Sequence, residues 1–491
     1  MSTMTLTRHE TTTVPSAART PKKRLRFKMQ WVLLGIVVVY VAILAIRLRN
    51  TAFIDEALYI NAGHAYLAHW FDGQPLGNAG AFFSGLPTLY PVLAALLDTL
   101  GGLYLVRLFS LACILGAGFL MYGTARHLWG ERAGLLTAAT FLLSGPVVYM
   151  GWLGTFDAVV VAMLALGLWL GLTRTGIPSA VLLAAVLTLA VLTKYTAGAF
   201  VPVVLAAVLV YGTRGLFRSI IATGAVAVSL TTVWMIWGAD IGRDIAFTTT
   251  DRQALSPIGT GELLGLLTDH LGLLILLAAL ALFLMFRERG WRLSVLGLGL
   301  VLASAMLPIG QIILGEAVSF EKHLAYSVLM LSLPIGWSLA RVSRYPLMVT
   351  PVVLTVMIMA LFPLVRADSM YRWPNVAGVV EAIDSDPQPG LYISSATDSI
   401  SYHTRAVPDI SWETTFELYY GGEEAIRGAV ENERYQSVIL RTSSVGNAEQ
   451  DDLQAVFLEE LEKSPSYSLA FEPFPVSSNN PDDLWLIFSR R

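Results

Sequence analysis

Long apolar runs follow one another along most of this chain, each ended by a short polar connector. A bilayer core of about 30 Å needs about 20 apolar residues of helix. Backbone in lipid must satisfy its own hydrogen bonds, so runs of this length predict membrane-spanning helices. The alternating segments of about 10 residues that mark a transmembrane barrel are absent. Spans are expected near 30–47, 103–126, 132–150, 157–173, 178–193, 196–211, 217–238, 262–286, 292–314, 323–341 and 346–364. The segment 50–102, between the first two, has a different pattern. Its start, FIDEALYINAGHAYLAHW, sets Ala57, Ile60, His64 and Leu67 along one helical side without enough apolar length to cross, which predicts a surface-lying helix. Its second half, LPTLYPVLAALLDTLGG, predicts another short helix broken by Pro87, Pro91 and the Gly101-Gly102 pair. From residue 366 the pattern changes again. Strand-like runs (GLYISS, SVILRT, YSLAF, LWLIFS) alternate with helical stretches such as DDLQAVFLEELEK, predicting a small α/β domain.

Composition agrees with a membrane protein: of 491 residues, 55% are hydrophobic and 14% charged. The net charge of −3 divides into +9 for residues 1–365 and −12 for residues 366–491. An acidic tail argues against nucleic-acid binding, which needs positive surface. Cys113 is the single cysteine and lies in an apolar run, so no intrachain disulfide or cysteine metal site is available. The basic segment 22–28 precedes the first apolar run without a small-residue cleavage site, so that run reads as an uncleaved helix after a cytoplasmic tail, 1–29.

Basic residues set the orientation. With the N-terminus in the cytoplasm, 22–28, Arg126/Arg132, Arg174, Arg214/Arg218, Arg287/Arg289/Arg292 and Arg341/Arg344 all fall inside, whereas 50–102 contains no Lys or Arg. An odd number of spans then puts the domain 366–491 outside. The acidic residues of the membrane part, 30–365, cluster towards the outer face, which locates the polar chemistry there. The absence of Asn-x-Ser/Thr sequons and the Ala/Leu/Gly-rich spans suit a bacterial plasma membrane.

Asp55 and Glu56 stand just after the first span. Adjacent carboxylates at a bilayer surface repel each other and resist desolvation, conditions that make a base. The same pair also suits a solvated loop start at a helix N-terminus. Lys194 ends two spans of 16 residues each, which reach only about 24 Å. The hairpin tip therefore stops beneath the outer interface, where a lysine costs roughly 2.5–3.5 kcal/mol unless it finds a partner or snorkels to headgroups. Arg107 enters its span four or five residues deep, as an interfacial arginine or a partner for Asp55 or Asp157. His64 and His69 are five apart and do not share a helical face, so they make no zinc pair.

A polybasic N-terminus, one helix and an outer loop opening with Asp-Glu-Ala-x-Tyr resemble the GT-C membrane glycosyltransferases. The closest group is that of the protein O-mannosyltransferases and aminoarabinose transferases, with the rhizobial lipopolysaccharide-core transferases. LYLVRLFSLACILG with Arg107, WLGTFDAVVVAML with Asp157, LAVLTKYTAG with Lys194 and FEKHLAYSVLMLSLP with Lys322 and His323 follow in the family's order over roughly 30–345. The resemblance implies an all-α polytopic membrane protein of about 11 transmembrane helices with a small C-terminal α/β extracytoplasmic domain. It implies transfer of a hexose or pentose from a polyprenyl-phosphate donor to a lipid, polysaccharide or protein acceptor, with inversion. Asp55 is the expected base, with Glu56 and Asp157 positioning the acceptor or supporting Asp55. Lys194, Arg107, Lys322 and His323 are expected around the carrier phosphate, and Tyr59, one turn after Asp55, at the sugar. No cofactor is expected; some relatives bind a divalent metal, but no ligand cluster stands out here. The alternative is a transporter or flippase of lipid-linked glycans. Such proteins usually carry internal repeats and midplane charges, and neither is evident.

Overall fold

The computed structural model describes residues 29–47, 49–76, 83–249, 258–288, 290–317, 319–370, 373–444, 448–477 and 480–491. The basic segment 22–28, Arg289 and Asp251 lie outside the described residues.

Helices cover every expected span, some spans dividing between two, and a further helix lies between the first two spans. In chain order these are α1 (Met29–Ile46), α2 (Ile54–Asp72), α3 (Tyr90–Trp129), α4 (Glu131–Leu142), α5 (Gly145–Gly151), α6 (Phe156–Thr173) and α7 (Ile177–Thr193). A 3-10 turn, Tyr195–Phe200, leads into α8 (Val201–Tyr211), α9 (Gly215–Thr249), α10 (Thr260–Arg287), α11 (Trp291–Ser304), α12 (Met306–Leu314), α13 (Phe320–Val342) and α14 (Pro346–Met370). Among the described residues, seven helices are long and apolar enough to cross a membrane. A bent pair, α4 and α5, makes an eighth, and Trp31–Ile46, Ile177–Thr193 and Tyr195–Tyr211 are shorter apolar helices. The protein is a multi-pass membrane protein.

Two expectations about continuity change. The run 132–150 is not one straight span: it bends by 68° where Ser144-Gly145-Pro146 interrupts the ladder. The short helix expected after Pro91 joins the next span in one element, α3, with a kink at Gly101 and Gly102. Gly102 has φ +64 and ψ −170, a conformation open to glycine alone. The helix α2 lies where a surface helix is expected, with Ala57 and Ile60 buried.

The centre of the bundle is α13, buried along nearly its whole length against α4, α10 and α11, with α6 beside it. The outer helices α9 and α14 expose Val228, Met235, Leu347 and Met357, apolar side chains for which lipid is the solvent.

The C-terminal unit adds α15 (Ala377–Ser385), β1 (Gly390–Ser394), α16 (Thr397–His403), β2 (Ile410–Thr414), α17 (Thr415–Tyr419), α18 (Gly422–Glu431), β3 (Ser437–Arg441), α19 (Ala448–Lys463), β4 (Tyr467–Leu469), β5 (Phe474–Ser477) and β6 (Asn480–Arg490). Its sheet runs β2-β1-β3-β6-β4, with β5 also on β6. The first three strands are parallel and β6 is antiparallel to its neighbours. The unit sits on the loop after α1. Val376 N donates to Thr51 Oγ1 at 3.2 Å, Asn50 Nδ2 to the Trp373 carbonyl at 2.9 Å, and Ala52 N to His403 Nε2 at 3.1 Å. Asp98 adds a second seat, accepting from Tyr402 OH at 2.5 Å and Arg405 Nη2 at 2.9 Å, with His64 Nε2 at 2.8 Å.

Candidate active site

The turn that opens α2 presents Asp55 and Glu56 to different surroundings. Glu56 is fully buried and reaches back to Phe53 N at 2.8 Å, closing the first helical turn. It also accepts from Gly154 N at 2.6 Å and from Arg107 Nε and Nη2 at 2.9 and 2.6 Å. Arg107 also donates to the carbonyls of Asn50 and Thr51, both at 3.1 Å. The pair thus forms a bidentate fork that ties α2, α3 and the loop before α6 together. Arg107 meets Glu56 rather than Asp55 or Asp157.

Asp55 instead bonds Lys322 Nζ from the first turn of α13. Lys322 also lies 3.7 Å from Asp157 Oδ2, so it bridges the two carboxylates. Asp157, in the first turn of α6 and fully buried, accepts from Lys194 Nζ at 2.5 Å and from Tyr326 OH at 3.0 Å. Lys194 Nζ is 2.9 Å from His323 Nε2. An ammonium only donates, so His323 accepts on Nε2 and carries its proton on Nδ1. Aromatic faces complete the surround: Phe156 lies 4.9 Å from Lys194 Nζ, and Tyr59 stacks on Phe156 at 4.6 Å. Tyr59 is buried in this aromatic layer with Phe83 and Tyr90.

The position of Lys194 is set by backbone. It caps α7 in an extended conformation, and the bend at residues 84–86 runs beside it. Tyr195 N donates to the Ser84 carbonyl at 2.6 Å and Leu86 N to the Leu192 carbonyl at 2.8 Å. Gly85 passes so close that an added Cβ would stand 2.0 Å from the Thr193 carbonyl oxygen. Gly85→Ala is therefore expected to push the hairpin tip away and lower thermal stability by about 1–3 kcal/mol, as overpacking does. A thermal-unfolding scan in detergent checks it, and an unchanged midpoint would show that the approach is not rigid.

The structure thus gathers Asp55, Asp157, Lys194, Lys322 and His323 into one cluster, with Tyr59 beneath it, and sets Glu56 and Arg107 as a brace next to it. Tyr326 joins the cluster without having been anticipated. Its signal in the sequence is its place four residues after Lys322, on the same side of α13. Asp98 was also legible, as a lone acid in the apolar stretch LLDTLGG, a placement that calls for partners. Among the described residues, no group of three or more His, Cys, Asp or Glu is placed to hold a metal ion.

The architecture has known counterparts. ArnT from Cupriavidus metallidurans bound to undecaprenyl phosphate superposes with a TM-score of 0.63 at 14% identity, covering 94% of this chain and 98% of that one. The fold is GT-C. Archaeal oligosaccharyltransferase AglB from Archaeoglobus fulgidus, in complex with an inhibitory peptide and a dolichol-phosphate, shares the GT-C fold at a TM-score of 0.55 and 12% identity, over 84% of this chain and 69% of that one. Arabinofuranosyltransferase AftD from Mycobacteria aligns at 0.53 and 13%, over 94% of this chain and 40% of that one. At the sequence level, residues 87–237 match the family described as dolichyl-phosphate-mannose-protein mannosyltransferase. That stretch runs from just before α3 into α9 and carries Arg107, Asp157 and Lys194. No curated protein matches the chain by sequence.

Proposed function

We propose that this chain is an inverting glycosyltransferase that moves a sugar from a polyprenyl-phosphate donor to a hydroxyl of an envelope acceptor, on the outer face of the membrane. The observation that carries the reading is the cluster in which Lys322 bridges Asp55 and Asp157 while Lys194 pairs with Asp157. Buried ammonium groups held at one end of a bundle suit a phosphate that arrives on a lipid. ArnT, of the same fold, is bound to undecaprenyl phosphate.

In this mechanism Asp55 takes the proton of the acceptor hydroxyl as its oxygen attacks the anomeric carbon. The bond from that carbon to the phosphate oxygen breaks on the opposite side, its electron pair leaves with the polyprenyl phosphate, and the configuration inverts. The leaving group is already an anion and needs cations rather than a general acid. Lys194 and Lys322 supply them. Arrival of the phosphate draws Lys322 off Asp55 and frees that carboxylate for the acceptor. Asp157, Tyr326 and His323 hold the Lys194 ammonium from several sides, and the Glu56–Arg107 brace fixes the turn that presents Asp55. Purified protein given a radiolabelled polyprenyl-phosphate sugar and an envelope extract is expected to yield labelled glycan of inverted configuration. Movement of carrier lipid between leaflets with no sugar transfer would favour the flippase instead.

The outer-face assignment rests on the ends of the helices. Asp157 and Lys322 open α6 and α13, and Lys194 closes α7, whereas Arg174 and Arg341 stand at the opposite ends. In a Cys113→Ser background, cysteine at exposed Ser385 is expected to react with an impermeant maleimide added to intact cells, and cysteine at exposed Thr175 only after lysis. The reverse labelling would invert the orientation and remove the site from the outer face.

A further inference from the structure

The first helix, α1, finishes at the end of the bundle that carries Asp55 and Lys322. One side of it, with Leu34, Val41, Leu44 and Ala45, is buried. On the other side Val32, Ile36, Val39, Ile43 and Ile46 are exposed at steps of four, three, four and three, which keeps them in one row along the helix. At 1.5 Å per residue that apolar row is about 21 Å long, more than the depth of one leaflet of a core of about 30 Å. It leads to a cavity of about 440 Å³ bounded by Ile43, Ile46, Arg47 and Arg49. Both arginines are exposed. Among the described residues neither guanidinium has a hydrogen bond or an ion pair. The other described basic residues at this end of the membrane part all hold a carboxylate: Arg107 holds Glu56, Lys194 Asp157, Arg243 Asp240, Lys322 Asp55 and Arg366 Asp269. Snorkelling accounts for an arginine beside lipid. It does not account for two of them at the mouth of one cavity, with an apolar floor and an apolar track leading into it.

We propose that this end of α1 binds one anionic phospholipid, its phosphodiester between Arg47 and Arg49 and an acyl chain along Ile46, Ile43 and Val39. Two guanidiniums offer forked N–H pairs that match phosphate oxygens, and the track takes the hydrocarbon. A glycerol headgroup leaves the phosphate charge to the arginines, whereas a choline headgroup brings a cation of its own against them. The carrier phosphate of the transferase reading belongs at Lys194 and Lys322, so this lipid is a second, resident one, and its binding does not depend on that reading. Arg49 directly precedes Asn50 and Thr51, whose carbonyls accept from Arg107, and Asn50 Nδ2 donates to the Trp373 carbonyl. A lipid held at Arg49 therefore pins the loop on which the Glu56–Arg107 brace and the C-terminal unit both rest.

The test uses the full chain purified in a neutral detergent and given dioleoyl phosphatidylglycerol or dioleoyl phosphatidylcholine. Native mass spectrometry counts the lipid retained, and a thermal scan follows unfolding. Wild type is expected to keep one phosphatidylglycerol more firmly than any phosphatidylcholine and to unfold at a higher temperature with it. The double variant Arg47→Gln/Arg49→Gln removes no contact between described side chains, so without lipid it should unfold as wild type does. Its affinity for phosphatidylglycerol should fall about tenfold to a hundredfold, and the lipid-dependent rise in unfolding temperature should vanish. Arg47→Lys/Arg49→Lys should keep part of the affinity, because the charges stay while the forks are lost. Equal retention of the two lipids by wild type, or unchanged phosphatidylglycerol affinity in the glutamine variant, overturns the inference. Inorganic phosphate that stabilises as well at equal concentration also overturns it, since the apolar track would then contribute nothing. A polyprenyl phosphate that displaces phosphatidylglycerol from wild type, and binds the glutamine variant weakly, would give the groove to the carrier instead.

Discussion

Asp55→Asn is expected to bind carrier lipid as the parent does while transferring sugar about 10²–10⁴-fold more slowly, the usual worth of a positioned base. The substitution keeps the size and one acceptor oxygen of the side chain but cannot take the proton. The structure adds a condition. Asp55 is bonded to Lys322, so the variant also weakens one hold on that lysine, but Asp157 remains 3.7 Å away to keep the ammonium in place. Carrier affinity should therefore survive. Fluorescent carrier lipid reports binding, radiolabelled sugar reports transfer, and near-parental transfer by Asp55→Asn would end the role of this residue as base. Glu56→Gln gives the contrast: its loss falls on the brace with Arg107, so it should lower the unfolding temperature more than it changes chemistry in the protein that remains folded.

Removal of Lys194 has the second large effect, and its interpretation needs a double variant. Lys194→Met takes away a phosphate contact worth about 1.5–3 kcal/mol, or roughly a tenfold to 150-fold loss of carrier affinity. It also takes the nearest cation from Asp157, a fully buried carboxylate left with Lys322 at 3.7 Å and the Tyr326 hydroxyl, so it destabilises by less than the roughly 3–5 kcal/mol of a buried charge left wholly unpaired. Lys194→Met with Asp157→Asn removes both charges and should recover much of the stability. Carrier affinity should remain low in the double variant, because the phosphate still lacks its cation. Full recovery of affinity would mean that Lys194 serves only to neutralise Asp157. Lys194→Arg should keep part of the affinity, since the charge stays while the geometry changes.

The spans are readable because lipid imposes a length and an apolarity on each of them. The kink at Gly101-Gly102 follows from two adjacent glycines. The bend between α4 and α5 had its own signal, Ser-Gly-Pro inside an apolar run, but hydropathy alone carries the run straight through it. The site is less readable, because its members converge from far apart: 37 residues separate Lys194 from Asp157 and 267 separate Lys322 from Asp55. Sidedness puts these residues at the same end of the bundle, and only packing decides partners. That is why Arg107 falls to Glu56, whose neighbour Asp55 has an equal claim in the sequence. The seat of the C-terminal unit has no signal at all, since nothing in the spacing of Tyr402 and Arg405 reveals that they will meet Asp98.

The seat at Asp98 has a consequence for how the protein is made. Its carboxylate gathers His64 from 34 residues before it, and Tyr402 and Arg405 from 304 and 307 residues after it. A ribosome adds about 5–20 residues per second. On that scale Asp98 waits roughly 15–60 s with His64 as its one companion of the three while nine more apolar helices, counted among the described residues with the bent pair as one, are threaded into the bilayer. A part of the chain made some 300 residues later thus completes a hydrogen-bonded centre opened before the bundle, so its docking reports that the bundle between them has already assembled.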